Sequence, residues 1–239
     1  MAASYSGPID PKWAAAETVI VETRTMTFSE TVDTSAPNPR RLTGADLRRE
    51  AQSSPPILIV PGVNGSGPAH WQSLWEQNLP NAERVEQSDR HRPRLSDWTA
   101  TLAEAVRRRP GALLVAHSLG CALVAHFARI SGGRSVAAAL LVAPADVDAE
   151  THHGRNLAAF APMPQEPLAF PSLVAASRND PFVRFERAEA FAKDWRSRFV
   201  DLGLAGHVNV KSGHGPWDDG LPLLESLLDA ASGEARRAG

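Results

Sequence analysis

Cysteine is nearly missing from this 239-residue chain, with Cys121 standing alone. One thiol closes no internal disulfide and builds no thiolate metal cluster, so the core must hold the fold, and a reducing, cytoplasmic setting is expected. Long apolar runs are missing too. None approaches the roughly 20 residues needed to cross a bilayer. The first residues carry no basic stretch ahead of an apolar one, the pattern of a secretory leader. Neither sign of charge is in surplus, because 25 Lys and Arg face 27 Asp and Glu for a formal net charge of -2. That balance argues against nucleic acid or an anionic membrane as the main partner. The densest basic run, Arg107-Arg108-Arg109, falls at the end of an expected helix, where cations complement the dipole in solvent. His152-His153 resembles half a metal site, but adjacent side chains point apart and no H-E-x-x-H accompanies them, so neither metal nor cofactor is expected.

What the chain does contain is apolar residue, 43% of it, enough for one substantial core. Residues 1–54 read differently from the rest. They are rich in Ala, Ser, Thr and Pro, as in Asp33-Thr34-Ser35-Ala36-Pro37-Asn38-Pro39, and bury little, so a loosely ordered extension is expected there. Its one strand-like stretch is 18–23. From 55 to 239 short apolar runs alternate with amphipathic stretches. Strands are expected at 57–60, 82–87, 112–116, 136–142, 173–176 and 198–202. Helices are expected near 70–79, 95–109, 119–130, 185–196 and 221–231, the second capped by Ser96 or Asp97. Strands apolar on both faces that alternate with helices indicate an α/β fold, a parallel sheet covered on both sides.

The segment Ala116-His117-Ser118-Leu119-Gly120 lies where such a strand ends and a helix begins. A G-x-S-x-G turn has chemical meaning in that setting, because it holds a serine hydroxyl clear of the sheet edge. Ala116 replaces the first glycine at the cost of one methyl. Ser118 is thus the candidate nucleophile, against the plainer role of an N-capping serine. Acyl transfer also needs donors for a developing oxyanion. The Leu119 N–H supplies one, and Val63 or Asn64 the other, brought close by Gly62 in the loop that follows the first strand. The glycines of that loop do not fit a phosphate-binding pattern, since Gly-Lys-Ser/Thr is missing.

In this architecture the acid and then the base follow the serine along the chain. Asp180 sits just past the 173–176 strand in Ser177-Arg178-Asn179-Asp180-Pro181, and is favoured over Asp146, which follows the preceding strand. Two histidines follow the last strand, His207 after Gly206 and His214 between glycines. Spacing favours His207 as base, with His214 and Trp217 at the pocket rim. His117 is expected to pack beside the serine and line the substrate site with Gly62. His70, His91 and His126 are expected at the surface.

With these residues in place the chain resembles the retinoblastoma-binding-protein-nine-like serine hydrolases, a compact α/β-hydrolase family. The resemblance runs from about Pro55 to Ala231. It rests on Ile59-Val60-Pro61-Gly62, Trp71, Trp75, Asp97-Trp98, the elbow through Cys121, Ala143-Pro144-Ala145-Asp146, Asn179-Asp180-Pro181, Gly206-His207-Val208-Asn209 and Gly215-Pro216-Trp217. It implies about six parallel strands, no leading hairpin, no large lid, and His207 as the catalytic histidine. The pocket-protein motif L-x-C-x-E of the vertebrate member is broken in Leu119-Gly120-Cys121-Ala122-Leu123, so that binding function is not implied.

The expected activity is hydrolysis of a small carboxylic ester, or an amide, through an acyl-enzyme. A thioesterase or acyltransferase would share the machinery, and a non-catalytic binding protein would keep only the fold. The one long connection, 144–171, contains His152, His153, Asn156, Phe160 and Met163. These are expected to border an open, shallow pocket for short acyl groups.

Overall fold

The computed structural model describes residues 55–149 and 157–238. The chain divides into two units, Met1–Arg41 and Leu42–Gly239, and the described residues lie in the second. The expected extension 1–54, and His152, His153 and Asn156, fall outside the described residues.

Ile57-Leu58-Ile59-Val60 has no polar position, so a strand made from it must be covered on both faces. It forms β1 (Ile57–Val60), buried throughout. The same logic produces β3 (Ala112–His117), β4 (Val136–Val142) and β5 (Ser172–Ala176). The shorter β2 (Ala82–Arg84) and β6 (Arg198–Asp201) carry charged residues and take the two edges, where charge discourages further strand pairing. All six strands are parallel in the order β2-β1-β3-β4-β5-β6.

Alternation along the strands divides the core in two. Leu58, Val60, Leu114, Ala116, Leu141 and Val174 face one side. There they meet Trp98 and Leu102 of α2 (Leu95–Arg108), Phe127 of α3 (Leu119–Ser131) and Phe191 of α4 (Phe185–Asp194). Ile57, Ile59, Leu113, Val115 and Leu140 face the other. They meet Trp71 and Trp75 of α1 (Trp71–Asn78) and Leu224 and Leu227 of α5 (Leu221–Ala238). Among the described residues, no helix is long and apolar enough to cross a membrane.

Strand order reverses at β1, whose neighbours are β2 on one side and β3 on the other. The connections leaving β1 and β3 therefore separate at their carboxyl ends and open a crevice there. Gln72, with no exposure, braces that edge. Its Nε2 donates to the carbonyls of Val60 (3.3 Å) and Val115 (3.0 Å), and its Oε1 accepts from Ser66 Oγ at 2.6 Å.

Three expectations are corrected. Neither Ser96 nor Asp97 caps α2. The cap is Arg94, without a side-chain bond, because Leu95 packs against the core and starts the helix earlier. Phe160 and Met163 do not border a pocket. They are 0% and 2% exposed in the core beneath α3, with the Phe160 ring against Trp98. Trp217 is a core residue too, stacked 5.7 Å from Trp75 and edge-on to Trp71.

Candidate active site

Because β3 ends at His117 and α3 starts at Leu119, a single residue turns the chain between them. That residue is Ser118, at φ 57° and ψ -122°. A side chain at positive φ is strained and persists only when its surroundings hold it. Here the Ser118 N–H donates to the Val142 carbonyl at 3.0 Å. Its own carbonyl accepts from the N–H groups of Cys121 (3.0 Å) and Ala145 (3.3 Å). Two glycines make room. A Cβ on Gly120 would overlap the Val60 carbonyl oxygen, and one on Gly62 would lie 2.9 Å from Ser118 Cβ.

His207 arrives from the loop after β6. Its Nε2 is 3.0 Å from Ser118 Oγ, and its Nδ1 lies 2.8 and 3.0 Å from the two carboxylate oxygens of Asp180. The Asp180 side chain is fully buried, and its Oδ1 accepts the Phe182 N–H at 2.8 Å. An acceptor-only carboxylate there puts the proton on Nδ1 and leaves Nε2 to accept from the serine hydroxyl. The register between the two loops comes from Ser177 and Asn179. Ser177 Oγ accepts the Ala205 N–H at 2.9 Å, and Asn179 Oδ1 accepts the Gly206 N–H at 2.7 Å. Sequence reasoning passed over both, although they stand directly before Asp180.

The alternatives lie elsewhere. Asp146 pairs with Arg187 at 3.5 Å, and its Oδ1 accepts the Asp148 N–H. His214 bonds Ser212 Oγ at 3.1 Å and does not line the crevice, which corrects its expected place at the rim.

Gly62 closely approaches the start of α3, where a Cβ on it would fall 3.2 Å from the Leu119 nitrogen. Asn64 is not a free amide donor, because its N–H is spent on the Arg90 carbonyl at 2.8 Å. Val63, the other expected donor, has no such backbone hydrogen bond among the described residues.

Two more histidines border the crevice, and one corrects an expectation. His70, expected at the surface, is 7% exposed. It caps α1, its Nδ1 accepting the Gln72 N–H at 3.2 Å. Burial first, then the charges of Arg84 and His207, lower its pKa from 6.5 to about 4. His117 lies under the site, with Nε2 2.9 Å from the His207 carbonyl oxygen, and burial pushes its pKa well down. Both rings are neutral near pH 7. His126 is buried as well, its Nε2 2.7 Å from the Phe160 carbonyl oxygen, while His91 is exposed as expected.

The cavity above Ser118 holds about 350 Å³. Leu157, Phe182 and Val210 are among its apolar lining residues, and His70, Asn209 and Lys211 among its polar ones. Among the described residues, no three His, Cys, Asp or Glu side chains converge as a metal site.

A family model described as serine hydrolase matches residues 57–226. The chain belongs to the serine hydrolase family. This serine hydrolase is 33% identical to a protein of Pectobacterium atrosepticum described as a YdeN-like hydrolase. The match covers 79% of this chain and 99% of that one, with a TM-score of 0.67. It shares its fold with the ydeN gene product of B. subtilis at 20% identity, over 74% of this chain and all of the other, TM-score 0.62. A thermophilic esterase of Thermogutta terrifontis shares the fold at 15% identity over 74% and 90% of the two chains, TM-score 0.53. No curated protein matches the sequence significantly.

Proposed function

We propose that this serine hydrolase cleaves small carboxylic esters through an acyl-enzyme, with Ser118 as nucleophile, His207 as base and Asp180 as its orienting acid. The observation that carries the reading is the unbroken hydrogen-bond line from Ser118 Oγ through both His207 nitrogens to Asp180. Ser118 Oγ bonds to the ester carbonyl carbon as its proton passes to His207 Nε2. Asp180 stabilises the imidazolium, and the N–H groups of Val63 and Leu119 receive the oxyanion. On collapse the C–O bond to the alcohol breaks, and His207 returns the proton to the leaving oxygen. Water then repeats the sequence, releasing the acid and restoring the Ser118 hydroxyl. Amides follow the same route with an amine as leaving group.

The resemblance to the retinoblastoma-binding-protein-nine-like hydrolases supports the same triad. Esterases among the structural neighbours agree with ester chemistry. The lone, buried Cys121 is in keeping with a cytoplasmic setting.

A cavity of about 350 Å³ takes a short acyl chain against Leu157 and Phe182. Each buried CH₂ is worth about 0.8 kcal/mol, or roughly fourfold in kcat/KM. With p-nitrophenyl esters from two to twelve carbons, kcat/KM rises over the first few carbons and then levels, unchanged by EDTA. A rise continuing to ten or twelve carbons contradicts the short-chain reading, and loss in EDTA restored by added metal contradicts the metal-free mechanism.

A further inference from the structure

The crevice lining mixes apolar and polar side chains, with Leu157, Phe182 and Val210 offering hydrocarbon to a substrate. One wall is built by two segments locked to each other. Trp71 Nε1 donates to the Val208 carbonyl at 2.9 Å, and the Ala69 carbonyl abuts Gly215. These contacts set His70 beside the turn Asn209–Lys211.

Several donors lining the cavity have no hydrogen-bond partner among the described residues. His70 accepts at Nδ1, so its proton is on Nε2, and that N–H is free at the cavity. Lys211 makes no hydrogen bond or ion pair among the described residues, and among them it is the only Lys or Arg lining the cavity. No Asp or Glu among the described residues lines it. Asn64 and Asn209 have their carbonyl oxygens engaged by His91 and the Ser212 N–H, which leaves their amide NH2 groups as uncharged donors.

We infer that this wall is a leaving-group subsite for alcohols that carry an anionic, hydrogen-bond-accepting group, held by His70 Nε2–H and the Lys211 ammonium. The inference rests on the proposed roles of Ser118 and His207 and deepens them. Its direction follows from proton transfer. The leaving oxygen must face His207 Nε2 to be protonated, and the turn Asn209–Lys211 that follows His207 in the chain lines the same cavity. The His70 ring lies 4.9 Å from that of His117, itself 4.8 Å from that of His207. Because burial, with the charge of Arg84, keeps His70 uncharged, it donates a hydrogen bond without opposing the imidazolium that forms beside it.

Four acetate or monoester substrates separate the possibilities: 4-acetoxybutanoate, 4-acetoxybutanamide, pentyl acetate, and monoethyl succinate, which carries its carboxylate on the acyl side. After correction for alkaline hydrolysis rates, the wild type prefers 4-acetoxybutanoate over pentyl acetate by about ten- to hundredfold in kcat/KM, the range for a charge-assisted hydrogen bond. The preference falls with ionic strength. Lys211→Gln brings the carboxylate down to the level of the amide, mainly through KM. His70→Asn lowers both relative to pentyl acetate, and Asn preserves the cap of α1 while withdrawing the donor. A wild type that prefers pentyl acetate or monoethyl succinate overturns the inference, as do variants with wild-type substrate ratios. Fluorophosphonate labelling of the wild type keeps the two levels apart. No labelling sinks the triad reading itself, whereas labelling without leaving-group preference sinks the subsite alone.

Discussion

Ser118 gives up a favourable backbone conformation so that its hydroxyl stands clear of the sheet edge, and three backbone hydrogen bonds hold it there. His207 stands opposite because Ser177 and Asn179 grip the two residues ahead of it. His207→Ala is therefore expected to lower kcat by about ten-thousandfold. His214→Ala, which removes a bond to Ser212 and an edge-on contact with the Trp217 ring, is expected to change kcat less than threefold. Steady-state kinetics on one p-nitrophenyl ester check both, and a reversed order would move the base to His214. Ser118 was legible because a five-residue pattern fell between an apolar strand and a helix. Asp180 and Asp146 were harder to separate, since both follow strands, and only the position of Arg187 shows Asp146 engaged elsewhere. His70 was not legible as a pocket residue. Its orientation depends on the Gln72 N–H and its burial on Trp71 and His117, contacts that no local pattern encodes.

Among the elements, α1 does more than cover one face of the sheet. Through Gln72 it ties the ends of β1 and β3, the strands that launch the glycine loop and Ser118. Gln72→Leu removes two buried donations and strands the Ser66 hydroxyl, a loss of about 3 kcal/mol. Urea denaturation should show that loss, with kcat/KM falling as the crevice loosens. A variant as stable as the wild type would mean that Gln72 braces nothing. The apolar runs of β1, β3 and β4 could be read directly because strands covered on both faces need no alternation. The segment 144–171 could not. Phe160 and Met163 suit a pocket or a core equally by composition, and the choice falls to Trp98 and His126, which come from two different helices. Capping of α2 failed for a similar reason, as burial of Leu95 outweighed the capping preference of Ser96.

For the whole molecule, the parallel sheet concentrates buried histidine at one edge, and this couples stability to pH. His70 has a folded pKa of about 4 against 6.5 for the free side chain. Between those values the unfolded chain binds a proton that the folded one does not. Its contribution is thus complete above pH 6.5 and is lost as pH falls to about 4, worth roughly 3 kcal/mol. His117 is shifted in the same direction and adds to the loss. Unfolding free energies at pH 7, 5.5 and 4.5 should fall steeply for the wild type and less steeply for His70→Asn. Parallel profiles would show that His70 is not held neutral by the fold.

The central claim is that Ser118 is the nucleophile, and covalent capture tests it most directly. Intact-mass and peptide analysis after reaction with a fluorophosphonate probe should find one adduct, on Ser118 of the wild-type protein. Ser118→Ala, with its circular dichroism unchanged, should carry none and should hydrolyse esters at background rate. An adduct on another residue, or turnover persisting in a folded Ser118→Ala, would contradict the account.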